Sequence, residues 1–234
     1  MNTNAKLMGA LVVALGVGCS SGGDDASEEV AAMSDDNPFY TESTLPYQLP
    51  PFEQIDESHF LPAFERGMAE QLEEVGAIAS QSDPPTFENT FVPLERSGVL
   101  LNRVAATFFN LSGADTNDAL DEIRSEVAPK LAAHTDQILL NGALFDRVRT
   151  LREARDTLGL DDEARRLIER HYIDFVRAGA LLSEDAQERM QEINAELATL
   201  QTTFGQNVLD EVNASAVVVE SKDELAGLPD GRVF

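Results

Sequence analysis

Apolar residues recur along most of this chain at steps of three and four, the spacing that lines one face of an α-helix. Phe60, Phe64, Met68, Leu72, Val75 and Ala79 form the first such stripe, with Ser58 placed to cap it and Pro62 tolerable in its first turn. After Pro84-Pro85-Thr86, the positions Phe91, Leu94, Leu101, Val104, Phe108 and Leu111 predict a second helix that stops near Gly113. Leu120, Ile123, Val127, Leu131, His134 and Ile138 predict a third, capped by Asn117 or Thr116 and kinked or interrupted at Pro129. A short fourth helix is expected from Leu144 to Leu158, and a fifth opens at Asp161, carries Leu167, Ile168, Tyr172, Phe175 and Val176, and ends at Gly179. Ser183 opens the longest, in which Ala186, Met190, Ile193, Leu197, Leu200 and Phe204 alternate steps of four and three, the pattern of an antiparallel hairpin or coiled-coil seam. The period changes only past Asn213, where the short β-branched run Ala216 to Val219 predicts a strand without a partner, followed by the turn sequence Leu228-Pro229-Asp230-Gly231.

The fold class expected is therefore mainly α, built of amphipathic helical hairpins, with the start of a small β element at the C-terminal end. Residues 57–213 are the helical domain and 214–234 the beginning of an α/β element. The preceding stretch 37–56 holds Asn37-Pro38-Phe39-Tyr40 and Leu45-Pro46-Tyr47-Gln48-Leu49-Pro50-Pro51-Phe52, an extended arm because each proline turns its predecessor away from the helical region, with aromatics to pin it to the domain. Residues 19–36 form a disordered acidic tether, since from Ser20 to Asp36 the chain is Ser, Gly, Asp, Glu and Ala with almost no bulky apolar side chain and cannot offset its ordering entropy.

Residues 1–18 have the layout of a secretory signal. Lys6 precedes the apolar run Leu7 to Val17, interrupted by Gly9 and Gly16, and Gly18-Cys19-Ser20-Ser21 follows. The run is short of the roughly 20 apolar residues that a membrane span needs. Cys19 is the only cysteine, which excludes an intrachain disulfide. The segment resembles a bacterial lipoprotein signal, in which the cysteine after the cleavage point is lipidated. Gly16 stands where that pattern usually has a leucine, and Leu15 lies one position farther away. Cys19 is thus the expected lipid attachment site, with simple cleavage or an uncleaved anchor as alternatives. By the same resemblance, Ser20 and Ser21 direct the protein to the outer membrane, on the periplasmic or envelope side of export.

Charge narrows the partners. The 17 Lys and Arg against 42 Asp and Glu leave a net charge of −25, which repels nucleic acid and anionic lipid and draws basic peptides or cations. An acidic coat that keeps an exported protein soluble explains the same charge. Catalytic chemistry is missing. His59, His134 and His171 are followed by Phe60, Thr135 and Tyr172, so none opens the His-Glu-x-x-His pattern that sets two zinc ligands and a base on one helical face. His134 sits on an apolar stripe and reads as a core or interface histidine; His171 borders its stripe with Asp174 one turn on. There is no Gly-x-Ser-x-Gly turn, phosphate loop or dinucleotide fingerprint on a strand. No catalytic, cofactor-binding or metal-ligating residue is expected in this chain.

Identity is carried by longer blocks. Glu42-Ser43-Thr44-Leu45-Pro46-Tyr47-Gln48, Pro84-Pro85-Thr86-Phe87-Glu88-Asn89-Thr90 with Leu94-Glu95-Arg96-Ser97-Gly98, Ala128-Pro129-Lys130-Leu131-Ala132-Ala133-His134, and Asp174-Phe175-Val176-Arg177-Ala178-Gly179-Ala180 resemble the start of bacterial peptidyl-dipeptidases. These are members of the thimet oligopeptidase-like family of zinc metallopeptidases, with oligopeptidase A a second match. The resemblance runs from about Asn37 to Pro229. It implies a mostly helical ellipsoid with a deep channel, walled by amino-terminal helices and closed to all but oligopeptides. It also implies zinc held on His-Glu-x-x-His in a later, carboxy-terminal catalytic domain that this chain lacks. Two readings follow: a partial zinc peptidase, inactive alone, or a standalone helical lipoprotein that binds peptides or a partner without cutting. On the first, the Ala186 to Phe204 seam, the His134 stripe and the lone strand partly face the missing domain.

Overall fold

The computed structural model describes residues 36–227, which fold into seven α-helices joined by short turns. Helix α1, Phe60–Ala79, is the central element. Its entry is set by Asp56 rather than Ser58: the Asp56 carboxylate accepts from Ser58 N at 2.9 Å, while His59 Nδ1 accepts from Asp56 N at 3.0 Å. Helix α2, Phe87–Arg96, opens on a reciprocal pair in which Thr86 Oγ1 accepts from Asn89 N and Asn89 Oδ1 from Thr86 N. The single helix expected from Phe91 to Leu111 is in fact two. Gly98 takes φ +72 and donates its N–H to Glu74 Oε2 at 2.8 Å, which ends one helix and starts α3, Val99–Ala114.

Helix α4, Asp118–Leu139, is capped by Asn117 and continues through Pro129, where a kink or an interruption was expected and no interruption is found. One lost backbone bond is outweighed because Val127 and His134, on either side of the proline, are buried against the domain. Helix α5, Gly142–Ala154, starts at Asn141, and α6, Asp162–Ala178, runs from the Asp161 cap to Gly179. There Ala180 N donates to Phe175 O and Gly179 N to Val176 O, and the φ of +108 at Gly179 allows it. Helix α7, Glu184–Ala214, is the longest.

Two hydrophobic clusters meet on α1. The first joins its early turns to α3 and α4 around Phe60, Phe64, Val104, Phe108 and Val127, and takes in Phe39 from the arm. Phe39, Phe60, Phe108 and Phe64 form a chain of rings with centroids 5.2–5.3 Å apart. The second joins Val75 and Ile78 of α1 to Phe91 of α2, Leu144, Val148 and Leu151 of α5, and Ile168 and Phe175 of α6. The arm is pinned at its two ends, by Phe39 and its neighbours at the start and by half-buried Ile55 against the first cluster at the finish. Phe39 is buried, Arg103 donates to its carbonyl, and Asn37 donates to His59 O. Tyr47 and Phe52, expected to pin it as well, are exposed, and the arm is broken by short 3-10 turns at Pro38–Tyr40, Pro46–Gln48 and Phe52–Gln54.

The β element expected at Ala216 to Val219 does not form among the described residues: the run is irregular, and Val217 and Val218 are 87% and 81% exposed. A β-branched run has no ladder to join without a neighbouring strand. Three segments of the sequence reading lie outside the described residues: the signal at 1–18, the acidic tether from Cys19 through residue 35, and the turn at Leu228 to Gly231. No helix among the described residues is long and apolar enough to cross a membrane.

Candidate functional site

The polar side chains that carry chemistry gather around α4 and its neighbours. His134 projects from α4 toward α1, only 5% exposed, with Nε2 at 2.8 Å from Gln71 Oε1. Gln71 uses its amide nitrogen to donate to Ser97 Oγ at 3.3 Å, so its oxygen is the acceptor and His134 Nε2 carries the hydrogen. His134 Nδ1 is buried without a partner, and burial pushes the imidazole pKa below its ordinary 6.5. A neutral ring whose remaining lone pair meets no solvent is a packing element, not a base for substrate. Of the His134 stripe, expected to be partly open, Leu120, Val127 and His134 are buried, while Ile123, Leu131 and Ile138 are only half-buried.

Asp136 leaves the same helix toward α7. It is 5% exposed, its Oδ1 accepts from Asn194 Nδ2 at 2.8 Å, and its Oδ2 has no partner. Burial raises its carboxyl pKa, and the Asn194 hydrogen bond opposes that only in part. A shallow groove of about 330 Å³ lies beside the pair, lined by Thr135, Leu197, Ala198 and Gln201. Farther along, Gln206 Nε2 donates to Asp121 O and Ser125 Oγ, both at 3.2 Å.

These contacts reveal how α7 is mounted. The residues it turns to the domain, Gln187, Asn194, Ala195, Ala198, Thr202 and Gln206, are polar or small and only half-buried. Apart from half-buried Met190, the large apolar residues are exposed, among them Leu197 46%, Leu200 55%, Phe204 70%, Val208 46% and Val212 62%. The seam read from Ala186 to Phe204 therefore splits, with Ala186 and Met190 half-buried while its larger members point outward. No α7 residue is buried.

On the far side, His171 of α6 pairs with Glu95 of α2, Nε2 to Oε1 at 2.6 Å, and packs its ring 5.4 Å from Phe91. Asp174, one turn on, pairs with Arg170 instead. Arg147 of α5, 6% exposed, donates to Thr90 Oγ1, Asn89 Oδ1 and the carbonyls of Gln81 and Asp83, tying the loop before α2 to the second cluster. Sequence reading missed Arg147, Asp136 and Asn194, since nothing in the spacing separates them from exposed neighbours of the same type. The three histidines are not brought together: each serves a different local contact. Among the described residues no group of three or more His, Cys, Asp and Glu side chains could hold a metal, so these residues do not fit a zinc centre. Cys19 lies outside the described residues.

The described residues thus define a helical scaffold with buried polar struts and one uncovered apolar helix face. No family model matches the chain. It is 40% identical to the dipeptidyl carboxypeptidase of Escherichia coli K12 over 201 residues, 86% of this chain and 30% of that protein. With the dipeptidyl carboxypeptidase of Salmonella typhimurium it shares 41% over 192 residues, 82% of this chain and 28% of the other. Oligopeptidase A of Escherichia coli K12 follows at 27% over 197 residues, 84% of this chain and 28% of that protein. The chain is a homologue of part of these peptidases, and among them it stands nearer the dipeptidyl carboxypeptidases than oligopeptidase A. It spans less than a third of the length of the curated relatives it matches.

Proposed function

We propose that this chain is the amino-terminal, non-catalytic helical part of an exported zinc oligopeptidase of the peptidyl-dipeptidase type, walling the channel by which oligopeptides reach a separate catalytic part. The observation that carries this reading is 40% identity over 86% of the chain to a dipeptidyl carboxypeptidase, of which the chain spans only 30%. In that role the described residues contribute shape and charge. The helices are stiffened by the Arg147, His134 and Glu95 contacts, and a net charge of −25 favours basic over acidic peptides at the channel mouth. No step of bond cleavage is assigned to them. Export through the leader and lipidation at Cys19 would hold the protein at the cell envelope, at the outer membrane.

The test is a chimera in which residues 37–227 replace the aligned region of the Escherichia coli dipeptidyl carboxypeptidase. Retained zinc-dependent release of carboxy-terminal dipeptides is the expected result, whereas the purified 234-residue chain should neither take up zinc one-to-one nor cleave the same peptides. A folded but inactive chimera would sink the reading and leave a standalone peptide-binding lipoprotein as the better account.

A further inference from the structure

Helix α7 is mounted with its apolar side outward. An amphipathic helix at the surface of a finished domain buries its large apolar residues and leaves polar ones wet. Here Asn194, Ala198, Thr202 and Gln206 face the domain, while Leu197, Leu200, Phe204, Val208 and Val212 stay in water. From Ile193 to Val212 that face extends roughly 30 Å at the helical rise, a continuous strip rather than scattered side chains. The inward contacts, Asn194 to Asp136 and Gln206 to Asp121 and Ser125, are directional and fix which side of α7 points out. The exposed strip is therefore part of the fold.

Charge and length decide among the occupants. Along α7 there are seven carboxylates against one guanidinium, that of Arg189, so a second copy of the helix would bring like charges together. The stretch 228–234 offers only Leu228, Val233 and Phe234 as large apolar residues, too few for the strip. The dipeptidyl carboxypeptidases that match 82–86% of this chain have most of their length outside the match. We infer that the outward face of α7, centred on Leu197, Leu200, Phe204 and Val208, is the surface on which the rest of a dipeptidyl carboxypeptidase-like polypeptide docks, through an apolar segment flanked by Lys or Arg. This rests on the functional reading above and adds which helix carries the junction and what chemistry meets it.

The double change Leu200→Glu and Phe204→Glu tests it in two settings. In the 234-residue chain by itself, where the face is uncovered, the variant should keep its helicity and melting temperature and sediment as a monomer like the parent. In the active chimera the same pair should lower dipeptide release by about tenfold or more and reduce the melting temperature, because two charges are then forced into an apolar junction. Glu192→Gln, off the strip, should change neither. A photo-crosslinking residue at position 204 of the chimera should link to the relative's own portion. An active chimera indifferent to the double change, or one that does not crosslink, overturns the inference and leaves the functional reading standing. A parent chain that dimerises and is dissociated by the double change makes a second copy the occupant. Crosslinking in the isolated chain to residues 1–35 makes the leader the occupant, and either result overturns the proposal. An inactive chimera removes the functional reading and this inference together.

Discussion

Arg147 binds four acceptors with no carboxylate among them, so its worth lies in hydrogen bonds from a buried charged donor. Arg147→Met keeps the volume and strands those acceptors, and should lower stability by about 2–4 kcal/mol. Urea unfolding with an unchanged slope checks this. Arg149, two residues on, is exposed, pairs with Asp146 and lies 5.8 Å from the Phe145 ring centroid, and its loss should cost about 1 kcal/mol or less. His134 and Asp136 carry opposite pH signatures. Burial depresses the His134 pKa, so the unfolded chain takes a proton that the folded one refuses. Its contribution is whole above the ordinary 6.5 and declines as pH falls below it. Burial raises the Asp136 pKa, so its contribution is whole below the ordinary 3.8 and is lost as pH rises through the folded value. His134→Gln should therefore flatten the loss of stability between pH 7 and 5 set by this group. Asp136→Asn, which keeps the acceptor for Asn194, should stabilise at pH 7, with the gain shrinking as the solution is acidified. Melting temperatures from pH 7 down through about 3.8 for the three proteins decide the matter.

Two glycines on α1 separate crossing geometry from helix propensity. At Gly67 a Cβ would lie 2.8 Å from Leu101 N and 2.9 Å from its Cα, backbone that cannot swing aside, because α1 and α3 approach closely there. At Gly76, on the same helix, a Cβ would meet nothing within 4 Å. Gly67→Ala should destabilise by about 1–3 kcal/mol despite alanine's better propensity, while Gly76→Ala should stabilise by about 0.5–1 kcal/mol. Thermal melts of the two single variants read the difference directly. The sequence pattern locates both glycines within the first predicted helix but cannot say which one touches another helix. The same blindness made one helix of Phe91 to Leu111, because Gly98 in a 3.6-residue period looks like any tolerated glycine until its φ of +72 and the Glu74 hydrogen bond are known.

At the scale of the molecule, the signal-like leader gives a prediction independent of the helices. If Cys19 is lipidated, Cys19→Ser should move the exported protein from the membrane fraction to the soluble one. Unchanged fractionation points to simple cleavage or an uncleaved anchor. The helical class, the positions of most helices and the cap at Asp161 are determined by sequence alone, because helix periodicity and capping are local in chain and space alike, whereas the choice of Asn117 over Thr116 rests on the hydrogen bond that Asn117 Oδ1 accepts from Leu120 N. The resemblance to peptidyl-dipeptidases was also legible, as runs of residues in order. What only the tertiary structure decides is partnership between helices. It gives His171 to Glu95 rather than to nearby Asp174, sets His134 against Gln71 of α1, and lets Pro129 pass inside a helix held by buried neighbours. It also turns the α7 stripe outward, since a hydrophobic period says that a face needs a partner and carries no information about whether that partner is within reach.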